Sequence, residues 1–182
     1  QLDSVTAIAI VEDIGDALSY AHRQGVLHRD IKPENVMFSE GHPMVADFGI
    51  ARALGTSGEA TQDALRGKVA YFSPEQARGE SLDRRSDVFA IGIVAWELLT
   101  GERLFRADHP LQTLDRVLHE PIPRVDEIRD TVLPAAATAV ARALKRDPNS
   151  RYATASEFEA DLLEAAQLSD IQLRPSAVAE FL

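Results

Sequence analysis

One polar segment of this 182-residue chain determines how the rest of it is interpreted: His28-Arg29-Asp30-Ile31-Lys32-Pro33-Glu34-Asn35. Most of its side chains are charged or polar, although the residues on both sides of it are largely apolar. Pro33 prevents a helix from running through the segment. We therefore expect a rigid turn that holds several polar groups in fixed positions.

The residues that follow this turn are expected to form a β-hairpin. Two short apolar runs, 36–38 and 44–46, flank a turn that contains Gly and Pro. The sequence Asp47-Phe48-Gly49 then begins twelve residues after Asn35. Because a hairpin returns to the point where it starts, Asp30, Asn35 and Asp47 are expected to converge.

Apolar periodicity predicts a mainly α fold around this turn. Segments 4–23 and 86–100 are expected to be core helices, the first capped by Ser4 and the second buried on nearly every side. Residues 54–67 are small and polar and predict a loop long enough to carry function. Further helices are expected over 111–119, over 134–145 and after a capping box at 154–157.

The composition excludes several classes of protein. The net charge is −10, apolar residues make up 45% of the chain, and there is no cysteine. Disulfides and thiolate metal sites are therefore excluded, and a cytoplasmic location is expected.

The longest apolar run, 88–96, is too short to span a bilayer, and no signal peptide is recognisable. We expect no membrane contact from these residues, since any anchor of a longer parent protein would lie outside them. The acidic charge argues against nucleic-acid binding.

The polar residues of the turn and of the hairpin's end suit one kind of chemistry. Oxygen ligands from an Asp and an Asn suit Mg²⁺, which takes its remaining ligands from water and phosphate. Lys32 supplies a cation for a phosphoryl oxygen, and a second carboxylate can orient a hydroxyl and accept its proton. Phosphoryl transfer fits this set, because it depends mainly on positioning and charge neutralisation.

The order of three motifs resembles the catalytic core of eukaryotic-like (Hanks-type) Ser/Thr protein kinases of the bacterial branch. These motifs are His28-Arg29-Asp30-x-Lys32-x-x-Asn35, Asp47-Phe48-Gly49 and Ser73-Pro74-Glu75. The resemblance covers about residues 4–166. It implies a protein-kinase-like C-terminal lobe with a small hairpin and a buried central helix, mainly α by itself and α+β as part of a whole kinase. It also implies transfer of the γ-phosphoryl group of ATP to a protein Ser or Thr hydroxyl.

The resemblance implies roles for the residues that match the kinase motifs. Asp30 would be the catalytic base, and Lys32 would neutralise the γ-phosphate. Asn35 and Asp47 would hold Mg²⁺ or Mn²⁺, and Met37 would lie beneath the adenine of ATP.

Other matched positions imply structural or regulatory roles. Arg29 would pair with a phosphorylated residue in the loop 50–67, for which Thr61 is the first candidate, followed by Thr56 and Ser57. Asp87 would brace the turn at 28–30. His28 and Phe48 would belong to an apolar column that aligns two lobes, and Gly49 belongs to the same motif as Phe48. Glu75 would form a buried ion pair with Arg151.

The chain departs from the family's pattern in two ways. The Gly-rich phosphate loop, the strand lysine and the helix glutamate of an N-terminal lobe would precede the first helix, where only Gln1-Leu2-Asp3 stand. We therefore expect residues 1–166 to be a C-terminal lobe, inactive without its own N-terminal lobe, and 167–182 to be an extension of uncertain structure. Lys68 stands where the family usually has threonine, and it would either pair with Asp30 or occupy the peptide site.

A protein substrate is expected, since the segment around Ser73-Pro74-Glu75 and the loop before it favour one. Glu34 and the acidic net charge suit a basic substrate. One alternative is a pseudokinase-like regulatory or peptide-docking module, and another is a small-molecule phosphotransferase on the same fold. Trp96 is expected in the core, whereas solvent exposure is expected for His22, His42, His109 and His119.

Overall fold

The computed structural model describes residues 2–39, 42–48 and 67–167, and this part of the chain is mainly helical with one two-stranded sheet. The predicted helical fold with a small hairpin is therefore confirmed. The elements are α1 (Ser4–Arg23), β1 (Val36–Ser39), β2 (His42–Val45), α2 (Pro74–Arg78), α3 (Arg84–Thr100), α4 (Pro110–His119), α5 (Val125–Ile128), α6 (Pro134–Ala143) and α7 (Ala155–Gln167), with short 3₁₀ turns at Pro33–Asn35 and Pro148–Ser150.

Helix α3 is the centre of the core, as its apolar sequence predicts. Its side chains are buried almost throughout, because α1, α6 and α7 pack around it. Asp83 caps its start by accepting a hydrogen bond from the backbone of Arg85, and Gly101 ends it in the left-handed conformation with φ of 77°. Trp96 lies in the core, where its indole N–H donates to the carbonyl of Pro123.

Helix α1 begins at the predicted residue, but Ser4 is not its cap. Asp3 is the cap, because its carboxylate accepts hydrogen bonds from both the backbone N–H and the hydroxyl of Thr6, at 2.9 and 2.7 Å. A carboxylate in this position also interacts favourably with the positive end of the helix dipole. Helix α1 packs against α3, α7 and strand β2, so it supports both the core and the hairpin.

The hairpin continues directly from the turn at 28–35. Its strands are antiparallel, with Val36 opposite Val45 and Met37 opposite Met44. Val36 and Val45 pack against the core, whereas Met37 and Met44 are about half exposed. The backbone N–H of Ala46 donates to the carbonyl of Asn35 at 2.8 Å and extends the pairing beyond the strands. This bond brings the chain at residue 47 back beside the turn.

Two predictions fall wholly or mostly outside the part of the chain that the structure describes. They are the polar loop at 54–67, of which only residue 67 is described, and the C-terminal extension, of which only residue 167 is described. No helix among the described residues is both long and apolar enough to cross a membrane.

Candidate active site

One buried carboxylate, that of Asp87, holds the start of the turn at 28–35. Asp87, in the first turn of α3, accepts hydrogen bonds from the backbone N–H groups of His28 and Arg29, at 2.9 and 2.8 Å. Arg29 has φ of 65°, a conformation that costs free energy for a residue with a side chain. The two bonds to Asp87 compensate for this cost and fix the direction in which the turn leaves α1.

His22 also contacts this carboxylate, so the expectation that it is solvated is wrong. Its Nε2 lies 2.8 Å from Oδ2 of Asp87, and its side chain is almost fully buried. The histidine sits in the last turn of α1, and no spacing in its own neighbourhood points to a partner in α3. Asp87 is followed by a long apolar run in the sequence, which indicates a buried carboxylate. Because a buried carboxylate needs several hydrogen-bond donors, this run was the available sign that Asp87 has partners elsewhere in the chain.

The carboxylate of Asp30 lies at the exposed rim of the turn and is surrounded by donors. Lys32 Nζ is 3.8 Å from its Oδ2, and Lys68 Nζ is 3.1 Å from the same oxygen. The amide nitrogen of Asn35 donates to the backbone carbonyl of Asp30 at 2.7 Å and lies 3.5 Å from Oδ2. Of the two alternatives for Lys68, the structure shows the pairing with Asp30.

The end of the hairpin brings the backbone just before Asp47 beside Asn35 and His28. Asp47 follows Ala46, whose N–H binds Asn35 and whose carbonyl lies 3.0 Å from Nε2 of His28. Asp47 itself has φ of 56°, which turns the chain sharply at this point. The next residue, Phe48, packs its ring on that of the buried His28 with centroids 4.7 Å apart.

Several predicted residues lie outside the described part of the chain or at the edge of the site. Gly49 and the candidate phosphosites Thr56, Ser57 and Thr61 are not among the described residues. Met37 stands on the open side of β1 and is 56% exposed. This exposed apolar side chain offers a surface for a flat ring next to the polar groups of the turn.

The possible ligand atoms at Asn35 and Asp47 suit a hard cation. The amide nitrogen of Asn35 is used by Asp30, which leaves the amide oxygen as the ligand atom, and Asp47 adds a carboxylate. Among the described residues, no cluster of three or more His, Asp or Glu could hold a metal by itself. A cation at Asn35 and Asp47 would therefore take further ligands from water and phosphate, as Mg²⁺ prefers.

Glu75 and Arg151 form a buried ion pair that holds the segment before α3. Both guanidinium Nη atoms donate to the carboxylate at 2.7 Å, and the hydroxyl of Ser86 donates to it at 2.7 Å. Burial alone would raise the pKa of Glu75, but the hydrogen bonds from Arg151 and Ser86 outweigh it and hold the pKa below its usual range. Removing one partner of such a pair typically costs about 3–5 kcal/mol. The pair therefore fixes α2 against the segment that follows the turn at Pro148–Ser150, and Ser86 joins it to the start of α3.

A link between α2 and the turn was missed at the sequence level. Ser73 caps α2, and the side chain of Gln76 returns to the backbone of Ser73. The amide nitrogen of Gln76 also donates to the carbonyl of Arg29 at 2.9 Å. The Ser73 to Gln76 spacing of a capping box was the signal that could have predicted α2.

A cavity of about 440 Å³ opens beside the turn and is lined by residues that include Glu34, Tyr71, Glu97 and Arg103. Glu97 accepts from the Tyr71 hydroxyl at 2.7 Å, and Arg103 lies 2.8 Å from the same carboxylate. Glu97 is therefore neutralised within the protein, whereas the Glu34 side chain is exposed.

Comparison with known proteins places this geometry in a family. The family model described as the protein kinase domain matches residues 1–163. Serine/threonine-protein kinase PknB of Mycolicibacterium smegmatis is 44% identical over 161 residues, which cover 86% of this chain and 26% of PknB. PknL of Mycobacterium tuberculosis is 38% identical over 161 residues, which cover 88% of this chain and 40% of PknL.

The fold agrees with a solved structure as well. The crystal structure of the Mycobacterium tuberculosis PknI kinase domain superposes with a TM-score of 0.70 and 30% identity, over 91% of this chain and 57% of that one. The chain thus spans about a quarter of the length of PknB and little more than half of the PknI kinase domain. It belongs to the protein kinase domain family, in the branch of bacterial Hanks-type Ser/Thr kinases.

Proposed function

We propose that the protein containing this chain transfers the γ-phosphoryl group of ATP to a Ser or Thr hydroxyl of a protein substrate. The observation that carries the proposal is the position of the Asp30 carboxylate. It stands at the rim of a turn clamped by Asp87, within 3.8 Å of Lys32 Nζ and 3.5 Å of the Asn35 amide nitrogen. A carboxylate, a cation and an amide oxygen on one rigid turn are the groups that phosphoryl transfer requires.

Each residue of the turn has a separate task in this proposal. Asp30 orients the substrate hydroxyl and accepts its proton as the new oxygen–phosphorus bond forms. The bond between the γ-phosphorus and the bridging oxygen breaks in the same transfer, and ADP leaves with that oxygen. Lys32 neutralises oxygens of the transferred group, whose negative charge is spread over several atoms in the transition state. Asp87 keeps Asp30 in place through the backbone, so Asp87 is a positioning residue and not a catalytic one.

Asn35 and Asp47 would hold Mg²⁺, or Mn²⁺ in its place, through one amide oxygen and one carboxylate. The cation supplies charge neutralisation at the phosphate oxygens when it is bound. Met37, exposed on β1, would contact the adenine ring through its apolar side chain. ATP would therefore lie along the hairpin, with its phosphates toward the turn.

The substrate class follows from the charges near the turn. Glu97 is paired with Arg103, whereas Glu34 is the exposed acidic group of the neighbouring cavity, which Arg106 also lines. A protein substrate with a basic residue near its hydroxyl would fit this arrangement. The absence of cysteine and the use of ATP suit a cytoplasmic site of action.

The proposal is tested with Asp30→Asn in the full-length protein encoded by the reading frame that contains this chain. We expect phosphoryl transfer to a protein substrate to fall by about 10²–10⁴-fold, because general base catalysis contributes that much. Binding of Mg-ATP, measured by calorimetry, should be retained. The matched control is Asp130→Asn, an exposed aspartate far from the turn in sequence.

Two outcomes would count against the proposal. Turnover by Asp30→Asn at the rate of the control would remove the base assignment. A wild-type protein that binds peptides but transfers no phosphate would favour the docking module in place of the enzyme.

A further inference from the structure

Lys68 contacts the centre of the candidate active site from a different segment of the chain. Its Nζ lies 3.1 Å from Oδ2 of Asp30, closer than the 3.8 Å of Lys32. The amide nitrogen of Asn35 lies 3.5 Å from the same oxygen. Three nitrogen atoms therefore meet at Oδ2 of this carboxylate.

The segment that carries Lys68 is anchored on both sides of the site. The hydroxyl of Tyr71 donates to Glu97 at 2.7 Å, and the side chain of Gln76 donates to the carbonyl of Arg29 at 2.9 Å. The backbone of Tyr71 also donates to the carbonyl of Lys68 at 3.2 Å. The backbone that carries Lys68 is therefore fixed near the turn, and its side chain reaches Asp30 from there.

The use of lysine in this sequence is selective. The chain has 19 basic residues, of which 3 are lysine (Lys32, Lys68 and Lys145) and the other 16 are arginine. Two of the three lysines contact Asp30. Lysine places a compact charge on a flexible stem, whereas arginine presents a wide planar fork that favours a fixed two-point contact. A compact ammonium suits a position where a phosphoryl group must pass.

We infer that Lys68 is a positioning residue for phosphoryl transfer, which holds Oδ2 of Asp30 and places a second cation beside the path of the transferred group. This inference rests on the kinase function proposed above. One carboxylate between two ammonium groups leaves a surplus of one positive charge. The transferred group, whose charge is spread over its oxygens, is stabilised by that surplus.

Stability alone does not account for the contact. The side chains of Lys68 and Asp30 are 31% and 18% exposed, so water and salt screen their attraction. The pair is partly open to solvent, and pairs that are fully open contribute about 0–1 kcal/mol to folding. The contact is therefore more informative about the placement of Asp30 than about the stability of the fold.

The kinetic test compares variants of Lys68 in the full-length protein. We expect Lys68→Met to lower kcat by about 10–100-fold, in the range found when one transition-state contact is removed, with KM for ATP changed much less. Lys68→Arg should lose less activity than Lys68→Met because it keeps the charge, but it should stay below the wild type because its wide fork replaces the compact ammonium. Lys68→Thr should also lose less than Lys68→Met, because its hydroxyl can donate a hydrogen bond to Asp30 without the charge. The matched control is Lys145→Met at an exposed position.

Three results would overturn the inference. If Lys68→Met keeps the wild-type kcat, Lys68 has no role in phosphoryl transfer. If Lys68→Met has a higher kcat, the lysine inhibits transfer by occupying Asp30. Equal losses in Lys68→Met and Lys68→Arg show a packing defect without a role for charge. A wild-type protein without transfer activity would instead refute the proposed function, and the catalytic part of this inference with it.

The contact itself can be measured on the present chain without any activity. Reductive methylation with ¹³C-formaldehyde labels its three lysines, and Lys68→Arg and Lys32→Arg assign two of the signals. We expect Asp30→Asn to shift the signals of Lys68 and Lys32 and to leave that of Lys145 unchanged. An unmoved Lys68 signal would show that the ammonium does not contact Asp30, which also overturns the inference.

Discussion

Glu159 in α7 carries its carboxyl group into the contact with α1. The carboxyl occupies the space above Gly15, where a Cβ atom would come within 2.0 Å of Oε1. The hydroxyl of Ser19 lies 3.5 Å from the same oxygen. Burial, and then the nearby charges of Asp16 and Glu12, raise the pKa of Glu159 to about 7. Between about pH 4.5 and pH 7, the folded protein therefore keeps a proton on Glu159 that the unfolded chain releases.

Replacement of this residue by Glu159→Gln should stabilise the protein at neutral and higher pH. The unfolded carboxyl has its ordinary pKa of 4.5, so wild-type stability falls as pH rises from about 4.5 to about 7 and then levels off. The glutamine cannot ionise, and at pH 8 the variant should be more stable by about 3 kcal/mol, since the pKa of the carboxyl rises from 4.5 to about 7 on folding and each unit corresponds to 1.36 kcal/mol.

The measurement for Glu159→Gln is urea denaturation of both proteins at pH 5 and at pH 8. The gain should fall below about 1 kcal/mol at pH 5, and the matched control Glu164→Gln, at an exposed position of the same helix, should show a much smaller dependence. A gain of equal size at both pH values would refute the assignment of the shifted pKa to this carboxyl.

The site residues that could be predicted are those that act within one stretch of sequence. Asp30, Lys32 and Asn35 lie on one turn, so their spacing already implies their proximity. His22 was misjudged because its partner Asp87 is 65 residues away, and nothing in the local pattern of α1 indicates a bond between helices. Contacts of this kind depend on packing, which a motif does not encode.

At the scale of elements, α3 connects the core to the candidate site. Asp87 at its start binds the turn at 28–29, and its middle crosses α6 at Gly92. A Cβ atom on Gly92 would lie 3.0 Å from Cβ of Ala143 and 3.2 Å from Cδ2 of Leu144. The missing side chain allows the two helices to approach closely, and α6 thereby supports the helix that positions the turn.

A double-mutant cycle at this crossing should show coupling. We expect Gly92→Ala to lower the free energy of unfolding by about 1 kcal/mol, since the cost of overpacking exceeds the better helix propensity of alanine. Ala143→Gly should be destabilising by itself, because it removes a buried methyl group. In the double variant, Gly92→Ala should be tolerated better, giving a coupling of about 0.5–2 kcal/mol by urea denaturation. Additive effects would show that the methyl groups do not compete for the same space.

The predictable elements are those with a long or simple pattern. The apolar run in α3 and the hairpin between 36 and 46 were located to within a few residues. The short helices α2 and α5 were not predicted, because five and four residues are too few for apolar periodicity to show. The stability of α2 comes from the Ser73 cap and the buried Glu75, which are single contacts outside any repeating pattern.

At the scale of the whole molecule, the polar groups of the turn and an apolar surface lie close together on one side. Met37 and Met44 form an exposed cross-strand pair on the face of the hairpin that is turned away from Val36 and Val45. Exposed apolar side chains grouped in this way are typical of surfaces that bind another partner. Met37 is also the residue proposed to contact the adenine of ATP, so the proposed nucleotide surface is open to solvent on this side.

This open face leads to a prediction about the chain by itself. Small-molecule sites usually enclose most of the ligand's surface, whereas Met37 and the turn would contact ATP from one side. We expect purified residues 1–182 to bind Mg-ATP at least about tenfold more weakly than the full-length protein, which corresponds to a loss of 1.4 kcal/mol or more. No phosphoryl transfer should be detectable.

The measurement is calorimetric titration of both proteins with Mg-ATP. Asp47→Asn, a variant of the proposed cation ligand, is titrated alongside them. Equally tight binding by the isolated chain, abolished by Asp47→Asn, would show that this face alone is a complete nucleotide site.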